Sequence, residues 1–395
     1  MDIDNIHKKK LPTLRPSFYS FRWRLLFLFD LIFELSLRKK DAKGRTIIKH
    51  ENPSFIGKQF KKIHSKNIQI LMKRKKFESN GPVAITEINI KDFTHDNFKE
   101  WKNKVNEPVV VRGFLSDAPI TELTKEENLI SKFGDIEVEC ANFSFDKDIS
   151  PDGRNINVAR TSLRDYLTLD KYNNYYVNNF HGILNRMDFY RLCNGRKLRK
   201  IQKKDYALHQ WFIKRDAGSR SSLHSANAEN IFLNIQGKKE WHFIHPSYAP
   251  VLQTTLSKYG TFAVSELMNH GMKGNFYELM HKEHPYFNNI PVYKVTLEPG
   301  DLLYNPPWWW HDVRNLSSLT VGCATRWVEP LKPGSKLITN SSILFTGQII
   351  EFLKNPKKSP IYTISRAVNN KNEVNEFFNT VFASEWDKKS KEESV

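Results

Sequence analysis

Residues 230–243 read Asn-Ile-Phe-Leu-Asn-Ile-Gln-Gly-Lys-Lys-Glu-Trp-His-Phe and predict two β-strands joined by a tight turn. Aliphatic side chains at 231, 233 and 235 alternate with the others, which is the two-residue period of a strand. Gln236-Gly237-Lys238 is typical of a turn, because glycine adopts backbone conformations that other residues avoid. Lys239, Trp241 and Phe243 then fall on one face of the returning strand.

Further short strands are predicted on both sides of these two strands. They lie at 108–114, 136–140, 175–177, 292–297, 302–304 and 319–328, and short helices are predicted before residue 101 and at 162–167. Residues 247–290 show no such pattern, and we expect them to fold over one end of the strands. Many short strands separated by turns indicate a β-sandwich or a closed β-barrel. We therefore predict a mainly β domain with flanking helices, an α+β fold.

Two of the 13 histidines stand out by their surroundings. His224 lies in the stretch Ser-Ser-Leu-His-Ser-Ala at 221–226, and His311 follows 87 residues later, after Pro-Pro-Trp-Trp-Trp. Pro306 restricts the backbone before His311, and the three tryptophans would hold its ring in place. Because imidazole is a frequent metal ligand, the pair is a candidate metal site, although a purely structural role is equally compatible with the pattern.

Lys239 is the second candidate binding residue. It shares its predicted strand face with Trp241 and Phe243, so it is expected to point into the interior. A lysine in that position needs an anion to offset the cost of desolvation, and an organic acid would supply one. The alternative is that Lys239 lies at the rim and extends its ammonium group into water.

These residues together resemble the cupin-like JmjC family, the branch of Fe(II)- and 2-oxoglutarate-dependent oxygenases that includes asparaginyl hydroxylases. The matching positions are His224, Asn230, 236–239, 300–304, 307–311 and 326–327, and the strand at 108–114 looks like the family's opening strand. The resemblance covers roughly residues 84–330. It implies a double-stranded β-helix, which is a jelly-roll or cupin barrel.

The resemblance also implies roles for individual residues. His224 and His311 would bind iron, and Lys239 would pair with the distal carboxylate of 2-oxoglutarate. Ser221, Asn230 and Tyr176 would line the same pocket and contact this cosubstrate. In the family, an acid two residues after the first histidine is the third iron ligand, but this chain has Ala226 there.

Three interpretations of Ala226 are open. In the first, a halide such as chloride fills the coordination position, and the reaction is halogenation. In the second, the protein is a hydroxylase in which water or a nearby acid, Glu229 or Asp312, replaces the missing ligand. In the third, it is a catalytically inactive descendant that acts as a binding module, since two neutral imidazoles hold Fe(II) weakly.

The positive charge of the chain is concentrated at its N-terminus. Residues 1–80 contain 20 lysines and arginines against 7 acids, a net charge of +13 out of +18 for the whole chain. We therefore divide the chain into a basic N-terminal arm at 1–83, a cupin-like domain at 84–330 and a C-terminal helical segment at 331–395. In the family that the chain resembles, such C-terminal helices often pair subunits, so a homodimer is one option and the oligomeric state stays open.

The arm contains an apolar stretch at 21–35 that predicts an amphipathic helix. Asp30 and Glu34 interrupt this stretch, so we do not expect it to cross a bilayer. Docking on the protein's own domain, contact with a membrane surface, and contact of the basic arm with nucleic acid are the alternatives. Three widely spaced cysteines form no disulfide framework, which favours an intracellular, cytoplasmic location with peripheral membrane association as an option.

Overall fold

The computed structural model describes residues 38–40, 46–48, 55–72, 82–145, 154–180, 191–201, 208–226, 228–252, 254–256, 262–265 and 276–327, together with 183, 189 and 267. The predicted helix at 21–35, the basic run 73–76 and the predicted C-terminal helices at 331–395 lie outside this set. In the described part of the chain, no helix is long and apolar enough to cross a bilayer.

Strands dominate the described residues. In chain order they are β1 Arg38–Lys40, β2 Thr46–Ile48, β3 Val83–Ala84, β4 Thr86–Asn89, β5 Val109–Arg112, β6 Glu137–Phe145, β7 Arg154–Ser162, β8 Tyr176–Phe180, β9 Leu208–Lys214, β10 His224–Ala226, β11 Glu229–Gln236, β12 Lys239–Ile244, β13 Thr254–Leu256, β14 Phe262–Ser265, β15 Val292–Leu297, β16 Leu302–Asn305, β17 Trp310–Asn315 and β18 Thr320–Trp327. The mainly β prediction is therefore confirmed.

The helices are fewer and mostly short. They are α1 Phe55–Met72, α2 His95–Lys104, α3 Pro119–Leu123, α4 Glu126–Phe133, α5 Leu163–Thr168, α6 Gly195–Ile201 and α7 Phe276–Glu283, and 3₁₀ turns lie at Ile90–Asp92, Asp170–Tyr172, Pro246–Val251 and Pro285–Asn289. Thr94 and Ser162 cap α2 and α5, since their side chains accept hydrogen bonds from Asn97 N and Asp165 N at 3.1 and 3.0 Å.

Two large sheets carry the domain. One has nine strands in the order β4-β5-β16-β11-β18-β9-β8-β6-β7, and the other has seven in the order β13-β14-β10-β17-β12-β15-β3. Most pairs are antiparallel, with β3–β15 and β4–β5 parallel. The two sheets share no strand among the described residues, so the predicted barrel is not a closed cylinder of hydrogen-bonded strands.

The two sheets face each other across a shared core. Phe232 of β11 packs against Trp241 of β12, with their ring centroids 5.0 Å apart. A second core lies on the outer face of the nine-stranded sheet, under α2, α4 and α5. A third lies on the outer side of the seven-stranded sheet and includes Leu71 of α1 and Tyr277 of α7. Both sheets are therefore covered on both faces, which rigidly positions the residues between them.

The two strands and the turn predicted at 230–243 form, but β11 and β12 lie in different sheets and do not pair with each other. Gly237 has a φ of 70°, and a Cβ there would lie 2.3 Å from the carbonyl oxygen of Leu319, so only glycine fits. The strand at 292–297 also has the predicted bounds. The stretch 247–290 is more structured than expected, because it contains two 3₁₀ turns, β13, β14 and α7.

Candidate functional site

His224 and His311 lie directly opposite each other on neighbouring strands. They are Cα partners in the β10–β17 pair, and their ring centroids are 4.2 Å apart. The Nδ1 atom of each ring lies 2.7 to 2.8 Å from a backbone carbonyl, that of Ser222 for His224 and that of Trp309 for His311. A carbonyl only accepts, so each Nδ1 carries the proton and each Nε2 keeps its lone pair, which is the tautomer that binds a metal.

Burial keeps His311 neutral. Desolvation lowers its pKa to about 4, against a smaller opposing effect of the hydrogen bond to Trp309. A neutral imidazole is the form that coordinates a cation, so this ring is ready to act as a ligand at neutral pH.

A strained turn fixes the backbone of Ala226 beside His311. Trp308 has a φ of 68°, which is rare for a bulky residue and costs free energy. Its N–H donates to the carbonyl of Ala226 at 2.7 Å, and the Ser225 hydroxyl donates to its carbonyl at 2.9 Å. The position two residues after His224 is thereby held on the same strand face as that histidine, as alternation requires.

Trp241 and Asn305 also contact the His311 ring. Trp241 stacks on it with a centroid separation of 5.6 Å and an interplanar angle of 18°. The Asn305 side-chain nitrogen lies 3.3 Å from both ring nitrogens. Because Asn305 belongs to the nine-stranded sheet and His311 to the seven-stranded one, this contact joins the two sheets at the histidine pair.

Lys239 is buried on the same face of the seven-stranded sheet as His311. On β12 and β17, Phe243 pairs with His311 and Lys239 pairs with Asn315, so the lysine lies four residues, or about 13 Å, further along the strand. Its ammonium group donates to Asn315 Oδ1 at 2.5 Å and to Thr320 Oγ1 at 2.9 Å, and both partners are neutral. Burial, reinforced by the charge of Lys214, lowers the pKa of Lys239 to about 7.

The other predicted pocket residues lie in different places. Asn230 is a Cα partner of Asn305 and of Arg326, on the interior side of the nine-stranded sheet. Tyr176 packs near Phe212 at 6.1 Å, and burial raises the pKa of its phenol. Ser221 instead binds the backbone of β17, because its hydroxyl accepts a hydrogen bond from Val313 N at 2.9 Å. The same hydroxyl donates to the Ser222 carbonyl at 3.3 Å.

Neither acid considered as a substitute ligand reaches the histidine pair. Glu229 forms an ion pair with Lys102 at 3.0 Å and accepts from the Tyr304 hydroxyl at 2.6 Å, on the outer side of its sheet. Asp312 alternates with His311 and so faces away from it, where it accepts from Arg220 and, at 2.6 Å, from Tyr277. Within the described ranges no three His, Cys, Asp or Glu side chains converge on one point.

The donor set therefore fits a divalent cation only in part. Two imidazole nitrogens suit Fe(II), and the remaining coordination positions would fall to a cosubstrate, water or a halide.

Sequence reasoning missed several residues that contact the site. Asn305 and Trp241 touch His311, and Asn315 and Thr320 hold Lys239. Strand alternation indicates which face each occupies, but contacts across the two sheets depend on how the sheets stack.

Comparison with known proteins identifies the family of the domain. The sequence profile of the family described as "Cupin-like domain" matches residues 95–330, more than half of the chain. HSPB1-associated protein 1 is 33% identical over 103 residues in Rattus norvegicus and 32% in Homo sapiens; each match covers 25% of this chain and 19% of the relative.

Lysine-specific demethylase JMJ30 of Arabidopsis thaliana is 31% identical over 116 residues, which is 29% of this chain and 25% of that protein. The chain thus matches a quarter or less of the length of each of these relatives. With more than half of its residues matched by the family profile, the chain belongs to the family of cupin-like, JmjC-type domains.

Proposed function

We propose that this protein is a 2-oxoglutarate-binding oxygenase-type enzyme, with Fe(II) held by His224 and His311. The observation that carries the proposal is Lys239. It is 1% exposed and bonded to two neutral groups, and it shares an interior face with the histidine pair. A buried ammonium in such a place is stabilised by an anion, and the distal carboxylate of 2-oxoglutarate supplies one.

The strand order supports a double-stranded β-helix as the scaffold. Along the chain, β9, β11, β16 and β18 belong to the nine-stranded sheet, while β10, β12, β15 and β17 belong to the seven-stranded sheet. The chain therefore passes back and forth between the sheets, as in a jelly roll. In that architecture, ligand sites lie between the sheets, where the histidines and Lys239 are found.

Each protein group has a distinct task in this proposal. The Nε2 atoms of the two histidines bind the metal, the Lys239 ammonium orients the cosubstrate, and the Trp241 ring limits access of water to His311. When bound, Fe(II) supplies activation of dioxygen coupled to decarboxylation of the 2-oxoacid to succinate. The substrate would be a protein side chain or a small molecule, and hydroxylation is the reaction class that we propose.

Ala226 modifies this chemistry. The site lacks the negative charge and the oxygen donor that an acid would provide, and Glu229 and Asp312 are engaged elsewhere. Water or an anion such as chloride would take that position. Halogenation is therefore the alternative reaction if chloride binds beside the cosubstrate.

Anaerobic titration of the purified protein with Fe(II) and 2-oxoglutarate, with and without chloride, tests the proposal. We expect a visible charge-transfer band that requires both components, because a 2-oxoacid bound to Fe(II) through two atoms absorbs there. Lys239→Met should abolish the band at cosubstrate concentrations that saturate the wild type. Lys238→Met is the matched control, because the neighbouring Lys238 is exposed and pairs with Glu298.

A band of unchanged strength in Lys239→Met would refute the assignment of the lysine. The absence of any cosubstrate binding in the wild type would refute the proposal itself.

An inactive binding module is the second candidate function, and Ala226 is the observation that favours it. This candidate predicts no iron-dependent succinate from the wild type with any halide. Succinate formation that requires Fe(II) and is lost in His311→Ala would exclude it.

A further inference from the structure

A cluster of charged side chains lies on the outer face of the seven-stranded sheet, on the side away from the histidine pair. Arg314 of β17 is the Cα partner of Glu240 on β12 and forms an isolated antiparallel bridge with Arg220. Residues directly opposite each other send their side chains to the same face. That face is the outer one, because Arg314 and Asp312 both alternate with the inward-facing His311.

Both carboxylates of this cluster already have cationic partners. Lys294 Nζ lies 2.6 Å from Glu240 Oε2, although Arg314 is the residue directly across from Glu240 on the next strand. Asp312 forms a short ion pair with Arg220. Three cations therefore share two carboxylates, and the charge of Arg314 is the one left without a counter-charge.

The two arginines also retain hydrogen-bond donors without acceptors. The Nε atoms of Arg220 and Arg314 are both buried, and neither has a hydrogen-bond partner in the described part of the chain. The Arg220 side chain is only 5% exposed, so solvent does not complete its bond. Buried donors without acceptors are rare, because each costs free energy unless a bound molecule completes the bond. The pair therefore indicates a ligand that accepts hydrogen bonds.

An oxyanion fits this arrangement. A guanidinium donates parallel hydrogen bonds to the oxygens of phosphate or carboxylate groups. Two guanidinium groups that start from bridged residues can bind one anion from two sides, which suits the tetrahedral oxygens of phosphate better than the planar pair of a carboxylate. Arg314 is partly exposed and Arg220 is buried, so an anion that enters from solvent contacts Arg314 first.

We propose that Arg314 and Arg220 form a phosphate-binding site on the outer face of the seven-stranded sheet, which takes inorganic phosphate or a phosphomonoester. The site goes beyond the proposed function, because it needs neither a metal nor 2-oxoglutarate. It lies on the opposite face of the sheet from His311 and Lys239. Strand β17 contributes to both places, with His311 directed inward and Arg314 directed outward.

Calorimetric titration of the metal-free full chain with inorganic phosphate tests the site. Physiological ionic strength is used because it screens the diffuse attraction of phosphate to the basic N-terminal arm. We expect one saturable site per chain, and acetate should bind at least about tenfold more weakly because it cannot engage both arginines. Competition by O-phosphoserine would identify a phosphomonoester as the occupant, and binding of inorganic phosphate alone would identify the free ion.

The variants make the assignment specific. Arg314→Gln should weaken phosphate binding at least about tenfold, and Arg314→Lys should recover part of the loss because it keeps the charge without the fork of donors. Arg220→Lys keeps a cation beside Asp312 but removes the Nε donor, so it should also weaken binding. Arg164→Gln is the matched control, because this exposed arginine of α5 pairs with Asp135 at 3.3 Å, and it should bind phosphate as the wild type does.

Thermal unfolding separates a binding site from a structural role of the arginine. Phosphate should raise the Tm of the wild type and leave that of Arg314→Gln unchanged, because a ligand that binds only the native state stabilises it. Without phosphate, the variant should unfold at the same temperature as the wild type or higher, since it lacks an unpaired, partly buried charge. A lower Tm for Arg314→Gln without phosphate would overturn the proposal, as would equal phosphate affinity in the wild type and this variant or equal affinity of the wild type for acetate and phosphate.

Discussion

In the proposed metal site, Ala226 occupies the position in which one side chain would decide the coordination of the metal. Its backbone is fixed by the hydrogen bond from Trp308, and it lies on the same strand face as His224. An acid introduced here would therefore project from the same strand face as the His224 ring.

Ala226→Asp should tighten Fe(II) binding in the presence of 2-oxoglutarate by about 10- to 100-fold, because it adds a charged oxygen donor to two imidazoles. Ala226→Asn is the matched control with the same size and no charge. Anaerobic metal titration gives the affinities, and succinate formation gives the turnover. In a hydroxylase the substitution should preserve or raise turnover, whereas in a halogenase it should exclude chloride and stop halogen transfer. No gain in metal affinity for the aspartate variant would contradict the proposed coordination.

The buried position of Lys239 predicts a pH-dependent affinity for 2-oxoglutarate. Its pKa of about 7 means that the ammonium form dominates below neutral pH and the neutral amine above it. A dianion binds the charged form, so binding above pH 7 must take up a proton, and the affinity should fall by up to about tenfold per pH unit.

Calorimetry at several pH values, in buffers of different ionisation enthalpy, would measure both the affinity and the proton uptake. An affinity that stays constant between pH 7 and pH 9, with no proton uptake, is the outcome that would count against a lysine–carboxylate contact.

At the scale of elements, the parts that could be predicted are those with regular alternation. Strands β11, β12 and β15 follow from their sequence, because one face of each is committed to the core between the sheets. Between Pro246 and Asn289, the described 3₁₀ turns, short strands and helix α7 could not be predicted, since each has too few residues to show a period.

The residues of the candidate site could also be predicted only in part. His224, His311 and Lys239 stand out in the sequence because of the residues around them and because of the face of the strand on which alternation places them. Asn305 and Trp241 do not, because their contacts to His311 arise from sheet stacking and from strand pairing between residues far apart in the chain. In the sequence, Arg326 is only part of a matching motif. The structure pairs it with Asn230 on the adjacent strand, and this pairing places its side chain on the interior face.

Helix α1 belongs to the basic arm by sequence, yet it packs against the domain. Leu71 is 1% exposed and lies in the core formed with the 3₁₀ turns at Pro246–Val251 and Pro285–Asn289, whereas its neighbour Met72 is 46% exposed. Leu71→Ala should therefore lower the free energy of unfolding by about 3 kcal/mol, and Met72→Ala should change it little. Denaturant unfolding of the two variants measures both values. If both variants unfold with the same free energy as the wild type, the contacts of α1 do not stabilise the folded domain.

At the scale of the whole molecule, charge and candidate chemistry are separated along the chain. Residues 1–80 carry a net charge of +13, while the other 315 residues carry +5 and include both histidines and Lys239. Long-range attraction to polyanions follows the local density of charge. We therefore expect any binding of nucleic acid or of an anionic membrane surface to depend on the arm and to be independent of the pocket.

Filter binding of single-stranded DNA to the full chain tests this separation. Neutralising the run Lys73, Arg74, Lys75 and Lys76 to glutamine should weaken binding in low salt and reduce its dependence on salt concentration, because fewer counterions are released on binding. The matched control neutralises four exposed lysines of the domain, namely Lys125, Lys132, Lys171 and Lys282. Its effect should be smaller, since these four lysines are not consecutive in the chain. Equal losses in the two variants, or binding that does not change between about 50 mM and about 200 mM salt, would show that the arm is not the electrostatic contact and would favour its role in packing against the domain.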